Sequence, residues 1–240
     1  MTLRRHNLKT GFFRARLLAD GYLGLHLTVG IVTLLIAGLV FACIAENVFK
    51  TGRIVTLDLQ VSTWFYAHAT STLTTFFLFV TNLHGTVGAL ALTLLFTAFL
   101  IRKRAWYWVL RVALAVPFGM LLNVLLKNIF QRARPSFEHP LLTLTTYSFP
   151  SGHAAAAALL YAVVGAYLVC TCKGWRRVLM VCMAVGMVAL VGLSRIYLGA
   201  HYLSDVAAAI ASSTGWLAIA FTSVAIWRKR QAALAVSTLK

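Results

Sequence analysis

The sequence predicts an all-α, polytopic membrane protein of six transmembrane helices, with short interfacial helices on the extracytoplasmic side and a single membrane-embedded domain over 1–240. Three observations predict it. Hydrophobic residues fill 60% of the 240 positions and charged residues 11%, against roughly 25% charged in a soluble domain. The apolar residues gather in runs that reach the ~20 residues needed to cross a bilayer core. Between those runs the basic residues form short clusters, the pattern that sets membrane topology.

The first span is Leu23 to Ala45. It carries no charge and is longer than the roughly 7 to 15 residues of a signal-peptide core, so it is expected to stay in the membrane. Before it lies a basic tail, 1–22. The stretch RRHNLK from Arg4 to Lys9 loosely matches a twin-arginine export signal, but Arg14, Arg16 and Asp20 intervene before any apolar run. Leu59 to His68 and Thr72 to Asn82 mix polar and aromatic faces and read as helices lying at the interface. Gly85 to Ile101 makes the second span, stopped by Arg102, Lys103 and Arg104. Ala105 to Leu126 makes the third, with Trp106, Tyr107 and Trp108 as an aromatic anchor beside that cluster. A polar loop from about Asn128 to Pro150 leads to the fourth span, His153 to about Cys172, which ends at Lys173 to Arg177. The fifth covers Val178 to about Leu193, and the sixth about Tyr202 to Trp227, closed by Arg228, Lys229 and Arg230. No linker, repeat or low-complexity stretch divides the chain.

Six spans place both termini on one side. The basic clusters at Met1 to Arg16, 102–104, 173–177 and 228–230 all fall on that side, which makes it cytoplasmic. Residues 46–84, the 128–150 loop and the 194–201 link then face outward. The net charge of +17 is thereby explained as a topology signal. A nucleic-acid partner is not expected, because no basic face is interleaved with aromatics for base stacking. Cys43, Cys170, Cys172 and Cys182 lie within predicted spans without paired spacing and read as small apolar packers. No oligomeric state follows from the sequence.

Ionisable residues that survive in so apolar a chain are functional candidates. Lys127, Arg134, His153, Arg195, His201 and Asp205 all fall on the outer side, a side fixed without using them. His201 and Asp205 are four apart; on a helix they share a face, and the carboxylate can hydrogen-bond one imidazole nitrogen and leave the other basic. Lys127, Arg134 and Arg195 add three positive charges. PSGH, Pro150 to His153, adds a hydroxyl and backbone N–H groups at a helix start, where the dipole favours anions. Such a set suits phosphate. Taken singly, each feature has a plainer reading: Lys127 and Arg195 as snorkelling span ends, His201 and Asp205 as a structural pair, Ser151 as a helix cap. Their joint occurrence on one face argues for a site. Arg111, near the cytoplasmic cluster, reads as a snorkelling residue, and His26, His84 and Asn82 as packing or interfacial residues.

KNIFQRARP (Lys127 to Pro135), PSGH, and SRIYLGAHYLSD (Ser194 to Asp205) together resemble the three-part signature of the type 2 phosphatidic acid phosphatase superfamily, which includes membrane lipid phosphatases and vanadium-haloperoxidase-like enzymes. All three parts match in order and spacing. One departure is Ala209, where many relatives carry glycine. The resemblance implies a metal-independent, cofactor-free lipid phosphatase. It implies His201 as the nucleophile, Asp205 as its orienting partner and His153 as the acid on the leaving oxygen. It also implies Lys127, Arg134, Ser151, the Gly152 N–H and Arg195 as phosphate binders. The few acidic residues expected on the outer side, Glu46, Asp58, Glu138 and Asp205, are too few for a two-metal site. The expected substrate is a membrane lipid phosphate or diphosphate at the outer face of a bacterial inner membrane, with undecaprenyl diphosphate first and phosphatidylglycerol phosphate or phosphatidic acid after it. The alternatives are phosphate transfer to another lipid, haloperoxidase chemistry, and a transporter, whose sites tend to lie nearer mid-bilayer.

Overall fold

Eight helices follow one another among the described residues: α1 Leu25–Phe49, α2 Arg53–Ala67, α3 Ser71–Leu83, α4 Thr86–Arg102, α5 Trp106–Phe130, α6 Gly152–Thr171, α7 Trp175–Tyr197 and α8 Leu203–Ser237. This computed structural model describes residues 24–237 apart from 139 and 143. The basic tail 1–22, Leu23 and His139 lie outside the described residues.

Helices α1, α5, α6, α7 and α8 are each long and apolar enough to cross a membrane. The expected second span differs. Helix α4 has only 17 residues, and it reaches membrane length together with α3, to which it is joined at a 54° bend. The bend has a local cause: His84 caps α3 and Gly85 is extended, with φ −65° and ψ 177°. Counted as one bent span, the pair brings the total to six.

Helix α1 shows why the chain needs lipid. Only Ala37, Ala45 and Val48 of its 25 residues are buried, while Leu35 and Leu39 are each 66% exposed. In water such a face would drive association; against acyl chains it costs little, and packing between helices then rests on small residues. Helix α6 supplies them. Ala154, Ala155, Ala156, Ala157 and Ala158 are all buried, which lets α4, α5, α7 and α8 close around α6. At Gly119 of α5 an added Cβ would lie 2.6 Å from the methyl carbons of Leu159. Cys43, Cys170 and Cys182 correct an expectation: they are exposed and Cys172 is half-buried, all four as free thiols. A lipid-facing surface accepts a thiol as readily as a core does.

Because successive spans alternate in direction, the C-terminal ends of α5 and α7 meet the N-terminal ends of α6 and α8. Lys127, His153, Arg195 and Asp205 are thereby brought to one end of the bundle. Arg102 to Arg104, Lys173 to Arg177 and Arg228 to Arg230 fall at the other.

Candidate active site

Two connections build the site. The first, residues 131–151, leaves α5 at Gln131, which takes the left-handed conformation at φ 46°. The second is the turn 198–202, where Gly199 has φ 63° and an added Cβ would stand 2.8 Å from the Phe137 ring. Only glycine combines that φ with so close an approach. Three hydrogen bonds lock the motifs together: Ser148 N–H donates to Arg132 O at 2.8 Å, Ser151 N–H to Asp205 O at 3.1 Å, and Arg134 Nη1 to Ala200 O at 2.5 Å. Residues more than fifty positions apart in sequence therefore share one rigid frame.

His201 is 2% exposed but does not lie on a helix, which corrects the shared-face reading. It precedes the start of α8, and Asp205 meets it through a capping arrangement: Asp205 Oδ2 accepts the Tyr202 N–H at 2.9 Å, as an acidic residue in a helix's first turn commonly does. The imidazole Nδ1 is 3.6 Å from Asp205 Oδ2. Ser148 Oγ stands between, 3.4 Å from Nδ1 and donating to Asp205 Oδ2 at 2.5 Å. On the other side, Arg134 Nη1 is 3.1 Å from Nε2. A guanidinium only donates, so Nε2 carries the lone pair and Nδ1 the proton. Burial lowers the His201 pKa to about 4, with Arg134 and Arg195 adding to the effect and Asp205 opposing it. The ring is neutral at physiological pH, with its basic nitrogen facing the cations.

Lys127 Nζ donates to Tyr147 O at 2.7 Å, and Arg134 reaches the same carbonyl at 3.1 Å. Arg195, 1% exposed, donates to Thr81 Oγ1, while its Nε and Nη2 have no acceptor among the described residues. Ser151 is the N-cap of α6, yet its side chain makes no capping bond and its buried Oγ is unpartnered. The capping alternative for this hydroxyl is therefore not what the fold uses it for. His153 occupies the first turn of α6 and, with Gly152, lines a cavity of about 340 Å³ walled by Gly85, Pro117 and Met120. All eight residues singled out in the sequence thus lie in or beside one constellation.

Five further residues escaped sequence reading. Arg132 Nη1 donates to Asp205 Oδ1 at 2.6 Å and Nη2 to Asp58 Oδ2 at 2.8 Å; its guanidinium lies 4.3 Å over the Tyr202 ring. Burial works against the charge on Arg132, but Asp205 and Asp58 outweigh it and raise its pKa. Asp58 is 1% exposed and also accepts the Ser204 N–H at 2.9 Å, although its helix read as interfacial. Ser148 is the relay just described. Asn123 is buried one turn before Lys127, beside Gly152, and its Nδ2 lacks an acceptor. His84, read as a packing or interfacial residue, is buried and sets Nδ1 against Val80 O at 2.9 Å and Nε2 against the Tyr161 hydroxyl at 2.7 Å. Its one signal in the sequence was a titratable residue in an apolar setting.

A family model described as the PAP2 superfamily matches residues 106–231. Among curated proteins, the chain is 43% identical over 88 residues to phosphatidylglycerophosphatase B of Bacillus subtilis, covering 36% of this chain and 43% of the relative. It is 30% identical over 118 residues to a probable lipid phosphate phosphatase beta of Arabidopsis thaliana, covering 40% and 55%. The matches thus span about half the length of these relatives or less. Among solved structures, the fold resembles a transmembrane PAP2-type phosphatidylglycerolphosphate phosphatase from Bacillus subtilis, with TM-score 0.66, 27% identity, and coverage of 81% of this chain and 94% of that one. It also resembles LpxE of Aquifex aeolicus, with TM-score 0.57, 23% identity, and coverage of 69% and 94%.

Proposed function

The chain belongs to the PAP2 superfamily, and we propose that it is a metal-independent phosphatase of membrane lipid phosphates, acting through a phosphohistidine. One observation carries the reading. Buried donors with no acceptor among the described residues, Ser151 Oγ, Asn123 Nδ2 and Arg195 Nε and Nη2, accompany Lys127 and Arg134 around a neutral imidazole. Burying donors unpaired costs about 1–3 kcal/mol each, and a phosphoryl group offers the acceptor oxygens.

The substrate's phosphate oxygens take the donors of Lys127, Arg134, Arg195, Ser151 and the first N–H groups of α6, displacing Arg134 from His201 Nε2. Nε2 then attacks phosphorus in line. The P–N bond forms as the P–O bond to the lipid breaks, and His153, held as an imidazolium by the negative charge of the entering phosphate, gives its extra proton to the departing oxygen. Asp205 and Ser148 stabilise the Nδ1–H side as the ring becomes cationic. In the second half, His153 takes a proton from water, the hydroxyl oxygen attacks phosphorus, and the P–N bond breaks to release inorganic phosphate and restore the lone pair. Positioning and charge compensation supply most of the acceleration in such transfers. Among the described residues no three of His, Cys, Asp and Glu gather as metal ligands; in this reading the charge compensation comes from cations of the chain itself.

The cavity beside His153 is lined mainly by apolar side chains of α4, α5 and α6 and gives a lipid tail a lateral path to the site. By the positive-inside rule both termini are cytoplasmic and the site opens at the outer face of the inner membrane. The names of the Bacillus subtilis relatives favour phosphatidylglycerol phosphate as a substrate; undecaprenyl diphosphate is the other lipid to test. Phosphate release from both, from detergent-purified protein with EDTA present, tests the proposal. Activity should survive chelation and vanish in His201→Ala together with any acid-labile phosphoenzyme. Loss on chelation, or an active His201→Ala protein, overturns the mechanism. Recovery of the phosphate on a second lipid would make the protein a transferase. Labelling of cysteines engineered into the loop before α6 from the cytoplasm alone would reverse the orientation.

A further inference from the structure

At the end of the bundle away from His201 lies a second cavity, of about 730 Å³, between α1, α5 and α6 with α8 as its floor. Its volume falls within the about 300–1,000 Å³ usual for small-molecule sites. Arg111, which borders it, precedes Lys127 on α5 by sixteen residues, or about 24 Å of helix. The two cavities share no lining residue.

The walls are mostly apolar, but His26, Arg111, Arg228 and Lys229 all border this cavity. Arg111 does not snorkel in the simple sense expected. Its guanidinium is 4.3 Å over the Trp108 ring and 5.2 Å from that of Phe221, and its buried Nε has no acceptor among the described residues. Arg228 sits 4.9 Å over the Tyr107 ring. Aromatic faces hold both guanidinium planes and leave the N–H edges for an acceptor, the geometry that suits a phosphate. Among the described residues no carboxylate supplies it: Glu46 near the end of α1, Asp58, Glu138 in the loop before α6, and Asp205 at the start of α8 all lie toward the other end of the bundle.

We propose that this groove binds an anionic glycerophospholipid of the adjacent leaflet, its phosphodiester on Arg111 and Arg228 and one acyl chain against the apolar walls. The cationic rim selects a lipid with net negative charge over a zwitterionic one, whose ammonium it repels. The inference does not rest on the catalytic reading.

The test uses full-length, delipidated protein in detergent, offered phosphatidylglycerol or phosphatidylcholine and examined by native mass spectrometry and thermal unfolding. One phosphatidylglycerol should be retained per chain, about tenfold more strongly than phosphatidylcholine, the factor of one good charge-assisted contact, and it should raise the melting temperature. Arg111→Gln should bring the two lipids to parity while phosphate release is unchanged. If that variant does not fold, Arg228→Gln at the exposed rim should reduce the preference in the same direction. Equal retention of both lipids, or full preference in the folded variants, overturns the proposal. So does loss of the preference in Arg134→Gln with Arg111 and Arg228 intact, which would place the lipid at the catalytic end, or a dimer that Arg111→Gln dissociates, which would make a second chain the occupant.

Discussion

Replacing Arg132 with glutamine tests whether the buried carboxylate beside His201 needs a cation to hold it. Arg132 is 11% exposed and ties Asp205 at 2.6 Å and Asp58 at 2.8 Å. Breaking a buried pair from one side costs about 3–5 kcal/mol, chiefly because the remaining charge is left uncompensated. Each carboxylate keeps other donors: Asp205 has the Tyr202 N–H and Ser148, and Asp58 has the Ser204 N–H. The loss should therefore sit at the lower end, about 3 kcal/mol, and appear as a clear fall in melting temperature. Arg132→Gln combined with Asp58→Asn should be more stable than Arg132→Gln alone, because one stranded charge has been removed. In catalysis, kcat for phosphate release should fall while KM changes little, since Arg132 touches Asp205 and not the site's phosphate donors. Additive stabilities in the Asp58 and Arg132 cycle, or a rise in KM at constant kcat, would refute the reasoning.

His201 should remain neutral and active well below pH 6.5, its pKa being lowered to about 4 first by burial and then by Arg134 and Arg195. Once the substrate's own ionisation near about pH 6 is allowed for, kcat/KM should fall only as pH drops through about 4; an acid limb at 6.5 contradicts this. Ser148→Ala removes the donor to Asp205 and the nearer acceptor of His201 Nδ1–H, a charge-assisted contact worth about 1.5–3 kcal/mol, so kcat should drop about ten- to a hundredfold. A change within twofold would show that Asp205 acts on His201 without the relay. Gly199→Ala places a Cβ at φ 63° and 2.8 Å from Phe137; it should cost at least about 1–2 kcal/mol from the left-handed conformation alone, seen as a lower melting temperature, and a wild-type melt would contradict it.

The spans were legible because a bilayer requires apolar length and clustered positive charge, and both are local properties of sequence. The boundary between α3 and α4 was legible to within a residue; that the two short apolar helices reach membrane length only together, bent at His84 and Gly85, was not. Hydropathy cannot report such a bend. The constellation proposed as the site was legible because Lys127, Arg134, Ser151, His153, Arg195, His201 and Asp205 stand at the spacings of the three-part signature. Residues that act through another residue left weaker traces. Asp58 read only as one of four acidic residues on the outer side, and Arg132 and Ser148 carried no reading beyond their place in the polar loop; each gains its meaning from a partner more than fifty positions away.

Those less legible residues explain how the site can bind an anion and also keep a neutral nucleophile. Asp205 facing His201 alone would draw a proton onto the ring and offset the attraction of the cations for phosphate. Arg132 takes one oxygen of Asp205 while Ser148 and the Tyr202 N–H take the other, and Asp58 balances Arg132 from behind. The carboxylate's charge is thus shared within the frame. Burial keeps the His201 ring neutral against the pull that Asp205 still exerts, and Arg134 and Arg195 act in the same sense as burial. A phosphate that enters neutralises those cations and raises the basicity of Nε2 at the moment it is needed for attack. Binding and activation of the nucleophile are on this view one electrostatic event, which ties the catalytic cost of Arg132→Gln to kcat.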